Sequence, residues 1–196
     1  MILERLKEET AAAHARTERA LPSLEELARP AAYRHCLLVL HGFHASWEPA
    51  IWQAPGIEAL RCDAGVRRKL PSLQRDLHSL GVDVGARAGM VPTVPSFIRT
   101  ADAVGAMYVL EGATLGGQVI ERHVAIRLGV TPLHGGEYFH GYGKRTGEMW
   151  RAFGGSLTQW VRDHGDEDAV VHGAIACFAA LEMWVFDIGS QRASTL

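Results

Sequence analysis

Residues 108–120 read Tyr108-Val109-Leu110-Glu111-Gly112-Ala113-Thr114-Leu115-Gly116-Gly117-Gln118-Val119-Ile120. Apolar residues recur here at the spacing of an α-helix, but three glycines interrupt them. A glycine inside a helix costs about 1 kcal/mol relative to alanine, so this accumulation needs a physical reason. Gly112 and Gly116 share one face of the helix because they are four residues apart. The pattern indicates either a notch for close packing of another helix or bare backbone that receives a flat ligand.

Helical patterning extends from this stretch toward both ends of the chain. The predicted helices cover residues 3–21, 31–53, 66–80, 96–128, 145–164 and 166–188. Pro49 is expected to bend or end the second of them. Residues 82–95 and 131–144 are rich in glycine and are predicted to be a connector and a loop. No strand-like alternation of useful length appears in the sequence, so the predicted fold class is all-α, a helical bundle.

The composition limits the class of protein. The chain has 196 residues, 47% of them hydrophobic, which is enough for one sizeable core and short for two. We therefore expect a single domain over residues 1–196. The formal net charge of −2 argues against a broad surface for nucleic acid or an acidic membrane, and it is compatible with a small, mostly buried ligand.

The amino terminus and the cysteines bear on cellular location. Residues 1–9 interleave charged and apolar side chains without the hydrophobic stretch of a signal peptide. No later run is expected to supply the roughly 20 apolar residues that cross a bilayer. Cys36, Cys62 and Cys177 are widely spaced and lack a C-x-x-C pair, which is typical of reduced thiols. Together these features predict a cytoplasmic protein.

Residues 6–18 contain a histidine of special interest, His14. A lone histidine on a helix is more often a structural residue than a metal ligand. Glu18, however, follows His14 by one helical turn and can accept the proton of the ring nitrogen that does not face a metal. Lys7 lies about two turns before His14 on a similar face, where its ammonium can meet a carboxylate of a ligand.

Together, residues 6–18 and 108–120 resemble the haem oxygenase family, whose first helix carries the iron-binding histidine and whose distal helix is glycine-rich and ends in Gly-Gly-Gln. The resemblance extends over most of the chain and is closest to the bacterial branch often associated with bacteriophytochromes. It implies a helical bundle of the haem oxygenase type, with His14 as the proximal iron ligand and Glu18 as its hydrogen-bond partner. The residues that it implies on the distal side are Gly112, Gly116 and Gly117.

The same resemblance bears on two other positions. Residues 149–157 look like the family segment that sends a basic residue to a haem propionate, and Arg151 is the matching position, acting with Lys7. Animal members carry an aspartate in the distal helix where this chain has Ala113. Because that aspartate orders water near bound O₂, other groups must order the water here or oxygen activation is impaired. The nearby candidates are Glu111, Thr114 and Gln118.

The function implied by the resemblance is opening of haem to biliverdin, Fe²⁺ and CO, with haem as both substrate and cofactor. O₂ and an external electron donor of the ferredoxin or flavin reductase type are implied, because the sequence has no flavin, nicotinamide or iron–sulfur signature. A bacteriophytochrome is a candidate acceptor of the product. Two alternatives stay open: a haem carrier without turnover, which Ala113 favours, and a haem-free relative such as a thiaminase-like or quinone-cofactor-synthesis enzyme.

Other histidines suggest metal sites only weakly. His41 and His44 are one turn apart, but no carboxylate partner at matching spacing is expected for a metal pair, so they are predicted to be core or surface residues. Glu137 and His140 form a single Glu-x-x-His, whereas di-iron bundles need that pattern twice on helices. The predicted position of this copy, in a glycine-rich loop, argues against a di-iron site.

Overall fold

The computed structural model describes residues 1–84 and 99–193, with side chains as far as residue 188. Helices account for the regular secondary structure of these residues. Within these ranges no strand forms, and the all-α prediction is confirmed. The helices are α1 (Ile2–Ala20), α2 (Leu24–Leu27), α3 (Pro30–Trp52), α4 (Ala64–Arg67), α5 (Leu70–Ser79), α6 (Thr100–Leu128), α7 (Glu137–His140), α8 (Thr146–His164) and α9 (Glu167–Ala193). Two 3₁₀ turns lie at Ile57–Leu60 and Gly143–Arg145.

Three of the six predicted helices agree with the structure at both ends. The predictions for α1, α3 and α8 are correct to within one residue at each end, and Pro49 lies in the last turn of α3. Arg99 precedes α6 in an extended conformation, so this helix begins later than predicted. Residues 85–98, which include most of the predicted connector, lie outside the described residues. Helix α9 continues five residues beyond its predicted end.

The prediction of a single helix over residues 66–80 is wrong, because the structure has two helices here, α4 and α5. Arg68, which follows α4, has an extended backbone, and Pro71 occupies the first turn of α5, where its missing N–H costs nothing. The break turns Arg67 and Lys69 toward the same buried carboxylate of α6. A contact made by tertiary structure therefore overrides the local helical pattern.

The short helix α2 was not predicted, although the sequence contains its signal. Ser23 accepts a hydrogen bond from the backbone N–H of Glu26, and the Glu26 carboxylate accepts one from the backbone N–H of Ser23 at 2.9 Å. This reciprocal pair is a capping box, which marks the amino end of a helix.

Helices α6 and α9 cross where their backbones touch. A Cβ atom at Gly105 would lie 2.0 Å from the carbonyl oxygen of Val170, and one at Gly173 would lie 2.2 Å from the carbonyl oxygen of Asp102. Only glycine permits so close an approach. The larger hydrophobic core surrounds this crossing and draws on α1, α3, α6, α8 and α9, while a second cluster joins α3, α5 and α7 to the carboxyl half of α6.

Helix α1 runs alongside α9 in a defined register. Arg5 Nη2 lies 2.5 Å from Asp168 Oδ1 near the start of both helices. About three turns further on, the buried Thr17 hydroxyl donates a hydrogen bond of 3.2 Å to the carbonyl oxygen of Phe178. These contacts bury one side of α1 and leave the side that carries His14 exposed.

The apolar character of α9 departs from one expectation. By length and composition alone, Glu167–Ile188 could cross a membrane, although no such segment was predicted. Val170, Ala174 and Cys177 in this helix are buried in the core that α9 shares with α1 and α6. A buried core helix has the same composition as a membrane span, so its packing accounts for its apolar residues.

Candidate functional site

His14 presents its imidazole on the outer side of α1, with 55% of the side chain exposed. Its Nε2 lies 3.6 Å from Glu18 Oε1, which is an ion-pair distance but too long for a hydrogen bond. The ring also contacts the ring of Phe178 on α9, edge to face, with centroids 5.4 Å apart and planes at 71°. The histidine is therefore accessible to a ligand and held on one side by an aromatic ring.

The glycine-rich part of α6 has one uncovered face. Among the described residues, no heavy atom lies within 4 Å of a Cβ built at Gly116, and a Cβ at Gly112 would meet only the Trp150 ring, at 3.8 Å. Leu115 and Val119 border this face and are 40% and 55% exposed. An apolar strip with two missing side chains can receive a flat apolar ligand against the backbone.

One contact between α1 and α6 lies close in sequence to both His14 and the glycines. The Tyr108 side chain lies beside the side chain of Thr10, and burial raises the pKa of the Tyr108 hydroxyl. Thr10 lies one turn before His14, and Tyr108 lies one turn before Gly112. His14 and Gly112 therefore each lie one helical turn beyond the same contact between α1 and α6.

Two cations lie where α1 meets α8. Leu3 packs so closely on α8 that a Cβ at Gly154 would lie 2.8 Å from Leu3 Cδ1. Lys7 follows Leu3 by one turn on α1, and Arg151 precedes Gly154 by three residues on α8; both side chains are exposed. Arg151 lines a groove of about 380 Å³ together with Leu3 and Trp150. The groove can hold anionic groups next to the uncovered face of α6.

Gly117 has a different environment from Gly112 and Gly116. It is buried, and a Cβ there would lie 3.2 Å from the carbonyl oxygen of Phe139 on α7. Residues 131–144, predicted to be a loop, thus contain a helical turn that packs on α6. Of the two interpretations left open for the glycines, the packing notch describes Gly117, and the open backbone describes Gly116.

A buried charged cluster lies on the flank of α6 next to Gly112. Glu111 accepts hydrogen bonds from Arg67, from Lys69 Nζ at 2.9 Å and from the Tyr142 hydroxyl at 2.8 Å. The Glu111, Arg67 and Lys69 side chains are each less than 10% exposed. Burial lowers the pKa of Lys69, and the neighbouring Glu111 carboxylate opposes that shift. The cluster ties α6 to the junction of α4 and α5.

The cluster continues into α3 through a second buried carboxylate, Glu48. Glu48 Oε1 lies 2.7 Å from His44 Nδ1, and the carboxylate also accepts the backbone N–H groups of Lys69 and Leu70. Burial alone would raise the pKa of Glu48, but these hydrogen bonds hold it below its usual value. The expectation that His44 has no carboxylate partner is wrong, because Glu48 follows it by one turn. His44 Nε2 pairs with the Tyr138 hydroxyl at 3.1 Å, so this histidine is structural.

The three residues considered as substitutes for the missing distal aspartate have partners within the protein. Glu111 belongs to the buried cluster, the Thr114 hydroxyl donates to the carbonyl oxygen of Glu111 at 2.6 Å, and Gln118 Nε2 donates to the carbonyl oxygen of Gly143 at 3.3 Å. At about 100° of rotation per residue, none of them shares the face of Ala113. That position is exposed.

Glu137 and His140 do not form a metal site with each other. The Glu137 carboxylate accepts a hydrogen bond of 2.7 Å from Arg75 Nε, whereas His140 Nδ1 lies 2.6 Å from Glu121 Oε1 on α6. Within residues 1–84 and 99–193, no cluster of three or more His, Cys, Asp or Glu side chains could hold a metal ion. These interactions fasten α7 to α5 and α6.

A second pocket, of about 370 Å³, lies at the other end of α1. Its lining is mainly apolar and comes from the residues after α1, from α3 and from α9. The lining residues are Ala20, Leu21, Pro22, His35, Cys36, Val39, Val185 and Phe186. Burial raises the pKa of the Cys36 thiol to about 12, so the thiol is protonated near neutral pH.

Solved structures share the fold of this chain. The fold resembles the NO- and CO-bound heme oxygenase of Neisseria meningitidis, with a TM-score of 0.82 and 21% identity over 95% of this chain and 91% of that one. It also resembles heme oxygenase 2 of Chlamydomonas reinhardtii, solved without heme, with a TM-score of 0.77 and 17% identity over 94% of this chain and 95% of that one. At these identities the likeness establishes the fold.

Sequence comparison then gives the family. The family model described as Heme oxygenase matches residues 1–187, and the chain therefore belongs to the haem oxygenase family. A curated protein named Heme oxygenase, from Xanthomonas campestris pv. campestris (strain 8004), is 35% identical over 114 residues, or 58% of this chain. That alignment spans 64% of the Xanthomonas protein.

The residues around His14 and Gly116 are of the kinds that suit a haem. An accessible imidazole is an ordinary haem-iron ligand. The open backbone at Gly116, bordered by Leu115 and Val119, suits an apolar planar face. The cations beside the α1–α8 contact suit carboxylates.

Proposed function

We propose that this chain is a haem oxygenase: it binds haem between α1 and α6 and, with O₂ and external electrons, opens the macrocycle to biliverdin with release of Fe²⁺ and CO. The observation that carries the proposal is the uncovered backbone at Gly116 on α6, together with the exposed imidazole of His14 on α1. Membership of the haem oxygenase family supports the same ligand and reaction.

Each group in the region has a role under this proposal. His14 would bind the iron through one ring nitrogen, and the exposed Glu18 side chain would approach to accept the proton of the other nitrogen. Gly112 and Gly116 let the distal side of the haem approach the helix backbone. Haem, when bound, would supply the redox-active iron and the macrocycle that is oxidised.

The cations complete the binding mode. Lys7 and Arg151 hold the two propionates at the protein surface by charge-assisted hydrogen bonds. Gly117 contributes by letting α7 pack against α6 rather than by contacting the ligand. A ferredoxin or flavin reductase supplies the electrons, and a bacteriophytochrome is a candidate acceptor of the biliverdin.

The experiment is a titration of the purified protein with hemin, followed in air after addition of ascorbate and an iron chelator, and repeated with a ferredoxin and its reductase. We expect a Soret band that saturates at one equivalent, then decays as biliverdin forms, with the product identified by chromatography. Absence of a Soret band would favour a haem-free relative and overturn the proposal.

A haem carrier is the second candidate, and the surroundings of Ala113 favour it. The nearest residues of α6 on the same face are Val109, Leu110, Gly116 and Gly117, none of which has a polar side chain. A distal water near Ala113 would need hydrogen-bond partners from other elements or from backbone groups. A Soret band that persists with both reductants, and yields no biliverdin, would establish the carrier.

A further inference from the structure

The ring plane of His14 has two candidate determinants, Glu18 and Phe178. Glu18 is 66% exposed, and its oxygen is 3.6 Å from His14 Nε2, so a solvated carboxylate is the weaker restraint. Phe178 is 7% exposed and lies edge to face with the imidazole, with centroids 5.4 Å apart. Edge-to-face packing is a preferred geometry for aromatic rings and persists in solvent better than an exposed ion pair.

The position of Phe178 is itself rigid relative to His14. The Thr17 hydroxyl is buried and donates to the carbonyl oxygen of Phe178 at 3.2 Å. Thr17 follows His14 by three residues, so the hydrogen bond joins α9 to the same turn of α1 that carries the imidazole. Arg16, in that turn too, is bonded to Glu182 of α9 at 3.0 Å. The two helices cannot shift here without breaking a buried contact.

We propose that Phe178 is a positioning residue that sets the ring plane of His14, and that Glu18 contributes little to that orientation in the haem-free protein. The consequence of this role for haem binding rests on the proposed function, because the plane of the imidazole then determines the orientation of His14 at the haem iron. Phe178 acts through His14 and need not touch the haem.

The first arm of the test uses the haem-free protein. The aromatic ¹H–¹³C spectrum is recorded with the His14 ring signals assigned by their loss in His14→Ala. We expect Phe178→Leu to shift the His14 ring signals toward those of freely exposed histidines, because the ring current of Phe178 is removed. Phe178→Tyr should retain the original shifts, since it keeps the ring. Glu18→Gln should change them less than Phe178→Leu does.

A matched control makes the same chemical change elsewhere on α9. Phe186 is 59% exposed and lies about 12 Å further along the helix axis. Phe186→Leu should leave the His14 signals in place. If Phe178→Leu leaves the His14 signals unchanged, or if Glu18→Gln moves them more, the assignment of the ring plane to Phe178 is wrong.

The second arm uses the hemin–cyanide complex. The order of the haem methyl proton shifts depends on the imidazole plane, and we expect Phe178→Leu to change that order while Phe178→Tyr preserves it. The hemin affinity should fall about 2- to 10-fold in Phe178→Leu. An unchanged methyl pattern in Phe178→Leu would overturn the consequence for haem. If hemin does not bind, the proposed function fails while the haem-free arm still decides the role of Phe178.

Discussion

The half-buried side chain of Tyr108 on α6 lies beside the buried side chain of Thr10 on α1. The two residues are almost a hundred positions apart in sequence, and each lies one turn before a residue of the candidate site, His14 on α1 and Gly112 on α6. The two side chains therefore meet close to the region where we propose that haem binds.

Tyr108→Phe should weaken hemin binding about 3- to 10-fold, because it removes the polar hydroxyl that lies beside Thr10. The ring that packs beside Trp150 is kept, so the packing should be preserved. The measurement is a Soret titration. Thr10→Val should have a similar effect, and the double variant should be little worse than either single one. Losses that simply add would show that the two side chains act independently.

His14→Ala should lose specific hemin binding and biliverdin formation with little loss of stability. The side chain is 55% exposed, so the change in the free energy of unfolding should stay within about 0.5 kcal/mol. Soret titration and urea unfolding measure the two effects. His78→Ala, an exposed histidine on α5, is the control and should bind hemin normally. A His14→Ala variant with full turnover contradicts the ligand assignment.

Gly116 allows stability and ligand binding to be separated. Gly116→Ala should raise the free energy of unfolding by about 0.5–1 kcal/mol, because alanine is the better helix former and no described atom obstructs its Cβ. Hemin affinity should fall in Gly116→Ala and fall further in Gly116→Leu, as the side chain fills the bare backbone. Equal hemin affinity in the wild type and both variants would mean that the ligand does not lie on this face.

Lys7→Met and Arg151→Met should each reduce hemin affinity about 3- to 10-fold, as loss of a charge-assisted bond at an exposed position predicts. Because salt screens such contacts, the affinity of the wild type should fall with ionic strength more steeply than that of either variant. Arg68→Met changes an exposed cation at the α4–α5 junction and is the control. Parallel salt dependence in all four proteins would argue against propionate binding by Lys7 and Arg151.

Glu111→Gln should destabilise the fold by about 3–5 kcal/mol, because it leaves Arg67 and Lys69 buried without their counter-charge. Burial lowers the pKa of Lys69 in the folded protein. At pH values above this lowered pKa and below that of an unfolded lysine, the unfolded state binds more protons than the folded state. Stability of the variant should therefore rise with pH until unfolded lysine titrates near about 10.4. Urea unfolding at several pH values measures this.

The control for this charge removal is Glu148→Gln. Glu148 is 60% exposed and pairs with Arg145, so the variant should lose less than about 1 kcal/mol. An equal loss in Glu111→Gln and Glu148→Gln would mean that burial of the Glu111 cluster adds nothing to stability.

The sequence alone was sufficient for the fold class and for the family resemblance. Periodicity and helix-ending residues act over a few positions, so α1, α3 and α8 were predicted closely. The same local rules failed at residues 66–80, where Arg67 and Lys69 turn toward a carboxylate more than forty positions away. They also missed the pairing of His44 with Glu48, although its spacing was visible in the sequence.

What the sequence determined by itself was the set of chemical groups: a histidine with a carboxylate one turn on, a helix lacking side chains at Gly112 and Gly116, and basic residues at Lys7 and Arg151. Only the tertiary structure decided which of these groups are accessible and which face a common region. It turned Gly117 toward α7, left Gly116 open and set Phe178 against His14. Helical periodicity is local, whereas exposure and contact depend on how distant helices pack.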